Sequence, residues 1–283
     1  MGAKIMFAWK TKVNNCRSGI ASDERGMTII ELLAAVLIGL LVVSAAMDAY
    51  LTMHTQSIAQ DQVTEMQQSG RAVMRVLSNR LRMAGFSLPS TVASLSGTNS
   101  NPDTITIRNE DANACEVSST AAMAATGDAI VCNGANLSCF TNGMRAYIFD
   151  ANATVGEYFT VSGVYTSPDR IAHPALTRTY PSGARVSFIR ETSFYIDRSD
   201  TLHPTFVQKD YGSAAQPYAD DIESLNFSYL MTSGDTVLTP TTPTQVRRVL
   251  VGLVARTQRV DSKTAKGYRR RTYDFEVSVR NNE

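Results

Sequence analysis

The chain has 283 residues, 43% of them hydrophobic and 19% charged, which is enough apolar material to build a real core and excludes a disordered chain. Its formal net charge of +1 gives no support to a general nucleic-acid binder or a polyanionic tail. The charge is uneven, however: residues 1–26 carry five Lys/Arg against two Asp/Glu, and the remainder carries 22 against 24.

The first element in chain order comes directly after that basic stretch. From Leu32 to Met47 there is no charge, and with Met27 to Ile30 the apolar run reaches about 20 residues, or roughly 30 Å as a helix. Lys4, Lys10, Lys12, Arg17 and Arg25 precede it, so the positive-inside tendency keeps residues 1–26 in the cytoplasm and exports the chain beyond Tyr50. A cleaved secretory signal is the competing reading, and "SAAMDAY" (Ser44 to Tyr50) has the small residues of such a site. Against it stands the sequence that comes next, which stays helical. Apolar or small residues at Val63, Met66, Gly70, Val73, Leu77 and Ala84 keep to one helical face, and Gln62, Glu65, Gln68, Arg71, Arg75 and Arg82 fill the others. The first proline is Pro89, and "AGFSLP" supplies glycine and proline as stop signals. One continuous helix from about Met27 to Ala84 is expected, about 87 Å long, with its first half suited to lipid and its second half to covering a globular core. Glu31 is the lone acid inside the apolar run, where a buried carboxylate costs about 2.5 to 3.5 kcal/mol at mid-membrane. As an ordinary interfacial residue, it would be tolerated by the macrodipole at a helix N-terminus.

Beyond residue 86 the pattern changes to short alternating runs. Leu225, Phe227 and Tyr229 alternate with polar residues, as do Tyr273, Phe275, Val277 and Val279, and each set reads as a strand with one buried face. Val249 to Ala255 is apolar on both faces and reads as a central strand, reached through "SGD" and "SKTAKG" turns. A further hairpin is expected over Ala184 to Arg198. Ser87 to Asn142 is rich in Ser, Thr, Asn, Ala and Gly, with "TITI" and "DAIVC" as short strand candidates, and reads as loops and insertions decorating one sheet. The fold class expected is α+β: a long N-terminal helix packed on an antiparallel sheet.

The other chemistry is sparse. No GxSxG elbow, phosphate loop, HExxH or EF-hand loop occurs, so no enzyme, cofactor or metal is expected. His54, His173 and His203 lack ligand spacing. The acids of "NEDAN" and "ADDIE" read as solvated surface in preference to a calcium site, and "GYRRR" (Gly267 to Arg271) as a solvated strand entry in preference to a contact with DNA or an acidic partner. Three cysteines lie beyond the apolar run. In an oxidising compartment they allow three single bridges; Cys132 with Cys139 closes the shortest loop across Gly134 and Asn136 and is the first choice, with Cys115 as alternative partner.

"RGMTIIE", Arg25 to Glu31, resembles the processing site of type IV pilins and type II secretion pseudopilins. Carried over by position, Gly26 is the last residue of a leader removed by a prepilin peptidase, Met27 becomes the methylated N-terminus, and Glu31 is the signature acid that pairs with the amine of a neighbouring subunit. Met at the first mature position, Ile29 at the third and the 26-residue leader depart from the commonest pattern. "LSNRLRMAGF" (Leu77 to Phe86), together with "YADDIESLNFSYL", "VRRVLVGLVART" and "TYDFEVSVRN", is similar in order to PilW-type minor pilins. The resemblance implies a leader (1–26), a transmembrane half-helix (27–50), an amphipathic half-helix (51–85) and an exported α+β head (86–283). It implies a minor pilin that helps initiate type IV pilus assembly at the tip, held in the inner membrane beforehand. Its partners would be the prepilin peptidase, other minor and major pilins, the inner-membrane assembly platform and a tip adhesin, with no nucleic acid expected. A minor pseudopilin of a type II secretion system, a pilus-associated adhesin or a DNA-uptake component are the alternatives.

Overall fold

The computed structural model describes residues 26–110, 116–261 and 267–282. Among these, one α-helix, Ile29–Met83, precedes sixteen strands arranged in four sheets, with every pairing antiparallel. This is the long-helix, antiparallel-sheet architecture expected from the sequence. Compactness divides the chain between Gln56 and Ser57, inside the helix.

The helix begins where its residues say it should. Thr28 Oγ1 accepts the Glu31 backbone N–H at 3.3 Å, and Thr28 O accepts those of Glu31 and Leu32, a Thr-x-x-Glu start that satisfies donors otherwise orphaned in the first turn. It ends on Arg80 and Arg82, cations suited to the negative end of the helix dipole, and then on Gly85 in the left-handed region (φ 79°). The Gly85 N–H donates to Arg108 O at 2.9 Å, and Asn281 Nδ2 donates to Ala84 O at 3.0 Å, so the helix end is tied to a strand and to the C-terminal segment.

From Ser57 onward the molecule holds two principal cores. The first lies under the helix residues Met66, Gly70, Val73, Leu77 and Leu81, spaced by four, three, four and four. These pack against a five-stranded sheet (Leu95–Thr98, Thr104–Glu110, Ile189–Asp197, Thr205–Asp210, Gln216–Asp220, in that spatial order) and a four-stranded one. The latter runs Thr236–Val237, Ile222–Met231, Val246–Arg256, Arg270–Ser278, with Val246–Arg256 central as its two-sided apolar pattern requires. Leu225, Phe227 and Tyr229 face the core, as their alternation implied. The turn at Ser233–Asp235 leads first to the short strand Thr236–Val237, and the chain reaches the central strand only after that detour. Asp103 joins the two sheets: its N–H donates to Leu225 O at 2.9 Å, and its carboxylate accepts the Phe227 N–H at 2.7 Å.

Gly70 shows why a small residue sits in the helix. Its Cα faces the ring of Tyr273, and an added Cβ would lie 2.5 Å from that ring, so glycine sets how closely helix and sheet approach.

The second core belongs to the region between residues 116 and 187. One sheet orders Glu116–Ser118, Arg185–Ser187, Arg145–Phe149, Gly156–Thr160; the other orders Ile130–Val131, Asp169–Ala172, Gly163–Thr166. Ile130, Ile148, Ile171, Ala184 and Val186 are fully buried between them, with Phe159 and Tyr180. This corrects the reading of Ser87 to Asn142 as decoration on a single sheet. The strands between residues 116 and 187 are two to five residues long, too short to show a period, and they bury their apolar residues against partners up to about seventy positions away.

The hairpin expected over Ala184 to Arg198 is also corrected. Arg185–Ser187 pairs with Glu116–Ser118 and Arg145–Phe149 in one sheet, while Ile189–Asp197 pairs with Thr104–Glu110 and Thr205–Asp210 in another. Phe188 is the crossing point between two cores and not a turn. Glu110 and Ile189 are direct cross-strand partners. Residues 111–188 therefore leave and re-enter the five-stranded sheet at one place, an insertion where a hairpin turn would otherwise stand.

Candidate assembly surface and interlobe clamp

Gly26, Met27 and Glu31 lie together at the start of the helix. Gly26 is exposed with no atom within 4 Å of where a Cβ would sit, Met27 is 63% exposed, and Glu31 occupies the first helical turn. Glu31 has no ion-pair partner among the described residues. Every residue from Gly26 to Ser57 is exposed. The most apolar 18-residue window of the helix has a mean hydropathy of 2.6 and no buried residue, long and apolar enough to cross a membrane. Leu33, Leu37, Ile38, Leu40 and Leu41 leave about 60% of their surface uncovered. A helix carrying that much bare apolar area needs lipid or other helices around it.

The remaining sequence candidates scatter. Cys132 is a free thiol, fully buried, its Sγ donating to Ile130 O at 3.8 Å; burial pushes its pKa up to about 11, with the Asp169 carboxylate adding to the effect. Cys139 is disulfide-bonded. The Cys132–Cys139 bridge is thus corrected: the Cys132 side chain is directed into the second core, not across the loop to Cys139. Cys115 lies outside the described residues, as do Asp111 to Asn113 of "NEDAN". In "ADDIE", Asp220 accepts from Thr205 Oγ1, Asp221 lies 3.2 Å from His203 and 3.9 Å from Arg256, and Glu223 pairs with Arg270. These carboxylates are spent on separate partners. In "GYRRR", Arg269 pairs with Asp261, Arg270 with Glu223, and Arg271 lies over the Tyr273 ring, which leaves little unpaired charge for a phosphate backbone. No group of three His, Cys, Asp or Glu among the described residues is placed to hold a metal.

The sequence reading missed the contact between the two cores. Arg145, from the insertion, stacks over Tyr158 at 3.9 Å and over Tyr211 at 4.2 Å, and its Nη1 lies 3.5 Å from Glu191 Oε2. The same Glu191 oxygen receives Arg108 Nε at 2.8 Å. Burial pushes the Tyr158 phenol pKa up, and the two arginines oppose that shift. Nearby, Tyr147 Oη donates to Thr91 Oγ1 at 2.8 Å, and Val92, Tyr147, Phe149 and Ile189 form a small apolar seam. The clamp borders a cleft of about 550 Å³. Its members come from residues 108, 145, 158, 191 and 211, and no local pattern in the sequence links them.

A comparison with solved structures finds the type IV-like pilin TTHA1219 from Thermus thermophilus, with 11% identity and a TM-score of 0.37 over 79% of this chain and 97% of that one. The chain is similar to a type IV-like pilin. No family model matches it, and no curated protein is similar to it.

Proposed function

We propose that this protein is a minor pilin of a type IV pilus, made as a membrane-anchored precursor, cut after Gly26, methylated on Met27, and acting by assembly and not by catalysis. The observation that carries the reading is the helix start: an exposed glycine, a threonine-capped first turn containing the single acid Glu31, and an apolar helix with nothing covering it. Among the described residues, that carboxylate has no ion-pair partner. Cleavage creates an amine at Met27, and the amine of one subunit neutralises Glu31 of its neighbour as the helices leave the bilayer. The partners are the prepilin peptidase, the inner-membrane platform and other pilins, with a tip adhesin as a further candidate.

The insertion supports the tip position, and the order of the Leu77 to Phe86 segment and the C-terminal strands supports the PilW-type branch. A 78-residue lobe between paired strands is difficult to accommodate at every step of a thin fibre, whereas a subunit present once at the end carries it freely. The disulfide at Cys139 falls to Cys115 on this reading, because Cys16 departs with the leader and Cys132 is free.

Intact mass of the membrane-extracted protein tests the proposal. Loss of residues 1–26 with gain of one methyl group is the expected result, and a chain that retains Met1 overturns it. Glu31→Ala should be processed normally but enter fibres poorly; wild-type piliation would show that the charge pair is unnecessary.

A further inference from the structure

Opposite the buried stripe of the helix runs a line of arginines. At about 3.6 residues per turn, Arg71, Arg75 and Arg82 fall within about 40° of one another, on the side away from Met66, Val73 and Leu77, and extend along about 16 Å. All three are exposed, and none has an ion-pair or hydrogen-bond partner among the described residues. Elsewhere in the head arginines divide. Arg108, Arg145, Arg185, Arg248, Arg256, Arg269 and Arg270 each face a carboxylate of the same chain. Arg170, Arg178, Arg247, Arg259 and Arg280 also have no carboxylate partner among the described residues, but they do not line one helix face.

The helix dipole accounts for Arg82 in the last turn, but Arg71 and Arg75 stand more than two turns before the end, where the dipole no longer acts. Like charges one turn apart repel, and no acid among the described residues pairs with them. Guanidinium is the group that takes carboxylates in a two-pronged, oriented pair.

We propose that Arg71, Arg75 and Arg82 form a docking strip for a carboxylate-bearing face of a different subunit of the same assembly. This rests on the assembly role given above. A nucleic acid is a poorer occupant, because the strip is one residue wide, its neighbours Gln68 and Asn79 are neutral, and the exposed acids Asp61 and Glu65 lie on the preceding turns. A second copy is poorer too. The outward pair Asp274 and Glu276 on strand Arg270–Ser278 has a spacing close to that of the arginines, but Glu276 is already engaged by Arg248 at 2.9 Å.

The test uses the full chain in cells that make the other subunits. In Arg75→Lys, carbodiimide joins the new amine directly to any carboxylate in contact, and peptide sequencing identifies it. A link to an Asp or Glu of a different subunit is expected. No link, a link within the chain, or a link to a second copy overturns the proposal. In parallel, the Arg71→Glu/Arg75→Glu double variant should remain helical and lose its leader normally, yet co-purify with the other subunits about tenfold less or lower still; unchanged recovery refutes the strip. Leader removal is read first on the wild type, so failure of the pilin reading appears there and failure of the strip appears only in the variants.

Discussion

The two cores of the head reach stability by different routes. Under the helix, one long amphipathic element supplies Met66, Val73, Leu77 and Leu81 in a single stripe, and strands of nine to eleven residues close over it in long registers. In the insertion, no described strand exceeds five residues, and the core is gathered from many short segments whose partners are remote in sequence. The first core is built from local periodicity, so it can be read along the chain. The second depends on closure of many loops, each with its own entropic cost.

Four substitutions test that contrast. The largest effect should come from Leu77→Ala, which removes a side chain with no exposed surface from the helix stripe: about 2 to 5 kcal/mol by urea unfolding. If the insertion is a module in its own right, labelling of the buried Cys132 thiol, which reports opening of the second core, should change far less than the global midpoint. Equal changes would mean that the two cores unfold as one. Gly70→Val should cost about 1 to 3 kcal/mol, because its side chain meets the Tyr273 ring. Pairing it with Tyr273→Leu should recover part of the loss, and strict additivity of the two changes would contradict the close-approach account.

Arg145→Ala removes the group that joins the cores, for about 0.5 to 2 kcal/mol. Its signature is a separation of the two unfolding transitions in hydrogen exchange, and a single cooperative transition would assign the coupling to the apolar seam at Tyr147 and Ile189. The smallest effect belongs to Glu223. The hydrogen-bonded Arg270 holds its carboxyl below the ordinary value, so the pair stabilises the fold above the unfolded-state pKa and loses that contribution as pH falls through the depressed folded-state one. Glu223→Gln should flatten the acid side of the stability profile below about pH 5, by less than about 1 kcal/mol because the pair is partly exposed. A profile identical to wild type would remove Glu223 from the acid response.

Legibility in the sequence divides along the same line. The helix is readable to within two residues at each end, Thr28 and Gly85 being its local start and stop signals, and its buried stripe is given by spacing alone. The C-terminal strands are equally readable because alternation of Leu225, Phe227 and Tyr229 is a local property of a half-buried strand. In contrast, the pairing of Cys132 with Cys139 is a misreading, since loop length says nothing about which way a side chain points. Arg145 does not stand out in the sequence at all. Its role depends on Glu191 and Tyr211, which approach it only after the insertion folds back.

The chain by itself thus determined the elements whose physics is local: a basic segment, an apolar helix with one acid at its start, an amphipathic continuation and a set of alternating strands. Tertiary structure alone decided that residues 111–188 are an insertion with a core of their own, that Cys132 is a buried free thiol, that the arginines of 269–271 are occupied while Arg71 and Arg75 are not, and that Arg145 clamps the cores together. The reason is sequence separation. Periodicity records which face of an element is buried, but pairing between remote segments is settled only when chain entropy, burial and charge are satisfied together in one fold.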